Sequence, residues 1–189
     1  MTHKIARLIG AAAFLFAGAA QAQSHVTLAP TEGDYIAHDF HFADGEVMKT
    51  LRLHYTTLGT IHRDANGKVD NAILIMHGTG GDGHQFFRPQ FADMLFKPGG
   101  VLDPTKYFII LPDDIGHGKS SKPSDGLRMK FPHYDYADMV RAEHLVVTKA
   151  LNVNHLRVVM GTSMGCMHSF MWGETYPDMM DAMLPLACR

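Results

Sequence analysis

Gly161-Thr162-Ser163-Met164-Gly165 sets a serine between two glycines at a spacing that suits acyl chemistry. A hydroxyl that attacks a carbonyl must stand clear of its own backbone on a sharp strand-to-helix turn, and the flanking glycines let strand and helix approach where a Cβ would clash. An apolar run, Val158-Val159-Met160, leads in and a helical pattern leads out. That context separates a nucleophile elbow from a chance match. Ser163 is the candidate nucleophile, and the N–H of Met164, which opens the following helix, is a candidate donor to the oxyanion that attack creates. A second donor is expected from His77-Gly78-Thr79-Gly80-Gly81, where small residues bring backbone N–H groups close to developing charge. The N–H of Thr79 is the first choice there, with Gly80 next.

A serine is a weak nucleophile until a histidine takes its proton and a carboxylate orients that histidine. After Ser163 the only histidine is His168, and the carboxylates are Glu174, Asp178 and Asp181. His168 lies on the same helix as the elbow and is turned away from it, so it is not expected to be the base. Upstream, His77 and His84 are expected to support the glycine loop or face solvent, and His117, His133 and His144 match no catalytic order. The loop Asp113-Asp114-Ile115-Gly116-His117-Gly118-Lys119-Ser120 combines acids, a histidine and a lysine, but lacks the spacing of a phosphate loop or a zinc site. It reads as a structural strand-end turn. With no C-x-x-C and thirteen scattered histidines, no metal and no cofactor site is expected.

Short unbroken apolar runs at 72–76, 107–111, 156–160 and 182–186 have the character of strands buried on both faces of a parallel sheet. Helical spacing falls at 85–96 and 135–151; in the second, Met139, Ala142, Val146 and Ala150 share a face. Asp135 is the expected N-cap there, with Asp138 favouring the positive helix end. The helix after Ser163 should run to about Tyr176, where Pro177 stops it. Ahead of these, Ile36, His38, Phe40 and Phe42 alternate, as do Leu51, Leu53 and Tyr55, on either side of Asp44-Gly45. This predicts an antiparallel hairpin. Asp64-Ala65-Asn66-Gly67 marks a surface turn. A hairpin followed by βαβ units defines an α/β domain: a mostly parallel sheet, helices on both faces and an N-terminal antiparallel hairpin.

The chain has 189 residues, 46% of them hydrophobic and 19% charged, with a net charge of −2. This is the composition of one ordinary globular domain, with no basic face for a nucleic-acid partner. His3, Lys4 and Arg7 precede an apolar run over 8–20 and then Ala20-Gln21-Ala22, the pattern of a secretory leader over 1–22. The expected mature chain is 23–189, periplasmic or secreted. The run falls short of the roughly 20 apolar residues of a membrane span. Cys166 and Cys188 are expected as small buried thiols, although an oxidising compartment also permits them to bridge.

Asn71 to Gly78, Asp103-Pro104-Thr105-Lys106-Tyr107-Phe108, Phe131-Pro132 with Asp138-Met139-Val140, and Gly161 to Met167 through Tyr176-Pro177-Asp178 resemble α/β-hydrolase-fold proteins of the homoserine O-acetyltransferase-like group. The resemblance covers about residues 51–188. It implies the α/β-hydrolase fold, a small-molecule acyl substrate, Ser163 as nucleophile, and an acid and a histidine that follow the serine in chain order. Thr162 and Cys166 stand where the group's acyltransferases carry glycine, and an exported chain would be separated from acetyl-CoA. The expected activity is therefore hydrolysis of an ester or related acyl bond. O-acyl transfer of the homoserine acetyltransferase type, and a non-catalytic binding or assembly role, are the alternatives. The resemblance further implies strands, an acid and a histidine beyond those present. The chain is expected to be the N-terminal portion of such a domain, C-terminally incomplete and inactive alone. Its apolar sheet edge at 182–186 would be open to a complementing C-terminal fragment or a second copy.

Overall fold

The computed structural model of the protein describes residues 26–188. The leader over 1–22 lies outside the described residues. The alternating stretches form β1 (Thr31–His41) and β2 (Val47–Leu58), antiparallel in the register Ala37↔Leu51 and Tyr35↔Leu53. Their connection turns at Asp44-Gly45, where the Glu46 N–H donates to Asp44 Oδ1 at 2.9 Å and Gly45 takes φ 92°.

The apolar runs become β3 (Ala72–Met76), β4 (Phe108–Pro112), β5 (Leu156–Thr162) and β6 (Met180–Leu186), in a six-stranded sheet of order β1-β2-β4-β3-β5-β6. The β1–β2 and β2–β4 pairings are antiparallel; β3 with β4, β3 with β5 and β5 with β6 are parallel. Every residue of β3 and β4 is buried. Successive residues feed opposite faces. Leu74, Met76, Ile110 and Val159 pack with Val140, Val147 and Trp172, whereas Ile73, Ile75, Ile109 and Leu111 pack with Phe86, Ala92 and Phe96. The first layer brings in α2 (Tyr136–Leu145) and α3 (Met164–Thr175), and the second α1 (Pro89–Leu95). Each fully buried side chain of this size contributes about 1.5–3 kcal/mol.

The helix expected over 85–96 is divided into a 3₁₀ turn, Gly83–Phe87, and α1. Pro89 is the cause, since it forces Arg88 into an extended conformation (φ −62°, ψ 141°). The segment expected as one helix over 135–151 continues past α2 as a π turn, Val146–Ala150, closed by the Leu151 N–H on Val146 O at 3.0 Å. The wider turn seats Val146 against the hairpin cluster and Val147 against the sheet cluster. The α2 cap is as expected: Asp135 accepts from the Asp138 N–H at 3.0 Å, and Asp138 accepts from the Asp135 N–H at 3.3 Å. Asp135→Ala is expected to lower stability by about 1 kcal/mol in urea unfolding, and an unchanged midpoint would contradict the cap.

Two expectations are corrected. The run at 182–186 forms β6 but is not buried: Met183 is 41% and Leu184 48% exposed. Continuous apolarity suggested cover on both faces, yet among the described residues β5 is the only strand beside it and α3 the main element packed on it. Cys166 and Cys188 are not separate thiols. They form a disulfide with Cα atoms 5.4 Å apart, joining α3 to the segment after β6. No helix among the described residues is long and apolar enough to cross a membrane.

Candidate active site

Ser163 sits between β5 and α3 at φ 55°, ψ −111°, a region that costs a side-chain-bearing residue about 1–3 kcal/mol. It is exposed, whereas Met164, Gly165 and Cys166 behind it are buried. The glycines of the motif are explained by contact. A Cβ on Gly161 would lie 2.3 Å from Gly165 O, and one on Gly165 would lie 2.4 Å from Met76 O. The start of α3 thus presses directly on β5 and on the end of β3. The Ser163 N–H donates to Leu186 O at 3.0 Å and the Gly165 N–H to His77 O at 3.1 Å, which ties the elbow to β6 and to the glycine loop. Met164 is the first residue of α3, so its N–H has no intrahelical acceptor.

The glycine loop closes with the Gly81 N–H on Gly78 O at 2.9 Å, leaving Thr79 and Gly80 exposed at its tip. Gly78 abuts Ser163: a Cβ there would stand 3.3 Å from Ser163 Cβ. The Thr79 N–H takes no part in the turn bond. Gln85, which nothing in the sequence singled out, couples the two parts. Its Oε1 accepts from the Gly78 N–H at 3.3 Å and its Nε2 donates to Thr162 Oγ1 at 3.2 Å. His77 supports the loop as expected: Nδ1–H donates to Gly78 O at 2.9 Å and Nε2 accepts from the Asp114 N–H at 3.1 Å. His84 faces Glu32 at 3.0 Å and is part exposed. Among the described residues no histidine or carboxylate is hydrogen-bonded to the Ser163 hydroxyl. His168 points elsewhere, as helix geometry required; its Nδ1–H donates to Glu143 Oε1 at 2.7 Å.

The 113–120 loop is structural where Asp113 and Ser120 are concerned. Asp113 accepts from the Gly83 N–H at 2.8 Å and the Lys119 N–H at 2.7 Å, and Ser120 Oγ donates to Asp113 O at 2.6 Å. Asp114 is different. It turns inward to a fully buried group formed with Glu143 of α2 and His168 of α3, whose ligand-type atoms all lie within 4.8 Å of one another and could hold a metal ion. Residues from three separate elements make this group, so no sequence spacing announces it.

Burial drives Asp114 well above the usual carboxylate range, and the like charge of Glu143 adds to that. Burial raises Glu143 to about 7, although hydrogen bonding with Asp114 and Trp172 opposes the shift. Burial also lowers His168, against the pull of Asp114. Free of any ion, the folded chain therefore holds more protons on Glu143 than the unfolded chain does between the ordinary value of 4.5 and about 7. Stability falls as pH rises across that window, by roughly 3 kcal/mol from Glu143 alone. His168 acts in the opposite sense below its ordinary 6.5, and Asp114 in the same sense as Glu143. Urea midpoints measured in chelator between these limits should fall with pH, and Glu143→Gln should flatten the slope. An identical slope in the variant would contradict this.

A family model described as the alpha/beta hydrolase fold matches residues 71–184. The chain belongs to the α/β hydrolase fold family. It is 33% identical over 149 residues to a probable acyltransferase of Methanothermobacter thermautotrophicus, covering 78% of this chain and 45% of that one. It is 35% identical over 163 residues to the homoserine O-acetyltransferase of Solidesulfovibrio magneticus, covering 76% and 38%. Among solved structures, an acetylester hydrolase from Corynebacterium glutamicum superposes with a TM-score of 0.73 at 27% identity, covering 84% of this chain and 44% of that one. The homoserine O-acetyltransferase of Bacillus anthracis superposes with a TM-score of 0.68 at 26% identity, covering 82% and 45%. The chain thus spans less than half the length of each of these relatives.

Proposed function

We propose that Ser163 is the nucleophile of an ester-cleaving α/β hydrolase acting on a small acyl substrate, in an exported protein. The observation that carries this is an exposed serine at positive φ, pressed against a glycine loop and opening a helix. Ser163 Oγ adds to the acyl carbonyl, and the resulting oxyanion is held by the N–H groups of Thr79 and Met164. The ester C–O bond then breaks, the alcohol leaves with a proton, and water releases the acid from the acyl-serine. The Cys166–Cys188 pairing fits a periplasmic or secreted setting.

The acid and base of this reading come from residues outside the described ones. The relatives' greater length and the exposed edge of β6 support a complementing C-terminal segment pairing there, or a second copy doing so. The names of the acyltransferase relatives favour a second reading, in which an alcohol rather than water receives the acyl group from the same serine. Incubation of the 189-residue chain with p-nitrophenyl acetate tests the shared step. An acetyl mass gain on the peptide carrying Ser163, absent in Ser163→Ala, is expected. Acetylation confined to lysines would overturn the assignment. Adding homoserine then separates the two readings, since only acyl transfer yields O-acetylhomoserine.

A further inference from the structure

We propose that Asp114, Glu143 and His168 form a binding site for a divalent transition-metal ion, set beneath the elbow between α2, α3 and the end of β4. All three side chains are buried, with exposures of 2% or less. His168 Nδ1 stands 2.7 Å from Glu143 Oε1 and 3.7 Å from Asp114 Oδ2. These bracket the roughly 3.3–3.6 Å expected between ligands around a tetrahedral ion with bonds of about 2.0–2.2 Å. Seating an ion asks that the first pair part slightly and the second close, with all three ligand atoms already within 4.8 Å of one another.

An independent observation points to a ligand. Neither carboxylate oxygen of Asp114 receives a hydrogen bond from a described N–H or O–H donor, although the side chain has no exposure, and only a proton shared with Glu143 could pair it. His77, whose Nε2 is 3.5 Å from Asp114 Oδ2, cannot supply a proton there because that nitrogen already accepts from the Asp114 N–H. An orphaned buried carboxylate is strongly penalised, and a cation removes the penalty. Two carboxylates, a neutral imidazole and a divalent ion sum to zero charge; the His168 proton moves from Nδ1 to Nε2, which has no hydrogen-bond partner, and leaves Nδ1 free to ligate the ion. Two oxygens and one nitrogen suit zinc, cobalt, iron(II) or manganese rather than a soft or all-oxygen ion. The Trp172 indole N–H donates to Glu143 Oε2 at 2.6 Å and holds that ligand in place, as outer partners do in metal sites. On the solvent side of His168 lies Tyr136, 40% exposed, whose ring meets the imidazole edge-on with centroids 5.0 Å apart.

The test uses the full chain and needs no catalytic activity, so it stands apart from the acyl-transfer reading. After chelator treatment, the chain is loaded with Co²⁺ or Zn²⁺, desalted, and its metal measured by mass spectrometry. Stoichiometric retention with a raised melting temperature is expected. Glu143→Gln and His168→Gln variants that remain folded by circular dichroism should lose at least tenfold in retention. X-ray absorption on the cobalt-loaded wild type supplies the same test without variants, the expected shell being oxygen and nitrogen with a single imidazole. No retained ion, undiminished retention in the folded variants, or a shell of several imidazoles would each overturn the site. In the first case Asp114 and Glu143 share a proton instead.

Discussion

Gly165→Val is expected to lower stability by about 3 kcal/mol, the upper end of what overpacking a core costs, because the new side chain meets backbone rather than a movable tip. The atoms within 3 Å of a Cβ there are Met76 O, Met76 C and His77 O. Met76 pairs with Gly161 across β3 and β5, and His77 O accepts the Gly165 N–H, so neither can retreat without breaking the contacts that form the elbow. Gly161→Ala meets the reciprocal obstacle, Gly165 O at 2.3 Å. Urea unfolding followed by circular dichroism checks both. A Gly165→Val chain with the wild-type midpoint would mean that α3 does not press on β3 as described.

Opening the Cys166–Cys188 bridge, by the double Cys→Ser change, is expected to lower stability by about 3 kcal/mol on loop-closure grounds, for a separation of 22 residues. The bridge anchors the end of β6, a strand that otherwise packs on β5 and α3 with much of its surface exposed. It also lies beside the Ser163 N–H bond to Leu186 O. Amide exchange at Ser163 should therefore accelerate along with the residues of β6. Equal stability of bridged and unbridged chains in non-reducing urea would contradict this.

The sequence announced those parts of the fold whose physics is local. Alternation marked the hairpin, unbroken apolar runs marked β3 to β5, and Asp135 and Pro177 marked where helices begin and end. The elbow was legible because its motif is short and lies between an apolar run and a helical pattern, although only Gly161 answers to a near neighbour, Gly165 O, while Gly165 answers to Met76 and His77. Local signals also misled. The run at 182–186 has the apolarity of a covered strand, but cover is supplied by other elements and cannot be read from the strand itself. Pro89 and the π turn at Val146–Ala150 divide patterns that periodicity alone joins. Gln85 and the Asp114–Glu143–His168 group were invisible because their meaning is set by elements far apart in the chain. His168 was placed correctly by helix geometry as facing away from Ser163. Its partners, Glu143 and Asp114, are set by the packing of α2 and the 113–120 loop against α3.

On the proposed function, the elbow and glycine loop present Ser163 for acyl chemistry with no activating base among the described residues. Labelling the 189-residue chain with a fluorophosphonate, with peptide mapping, tests it most directly. Label on Ser163 alone is expected, abolished in Ser163→Ala, at a rate on the order of 10⁶-fold below that of a complete serine triad. Label on another residue, or label on Ser163 as fast as in a complete triad enzyme, would contradict it.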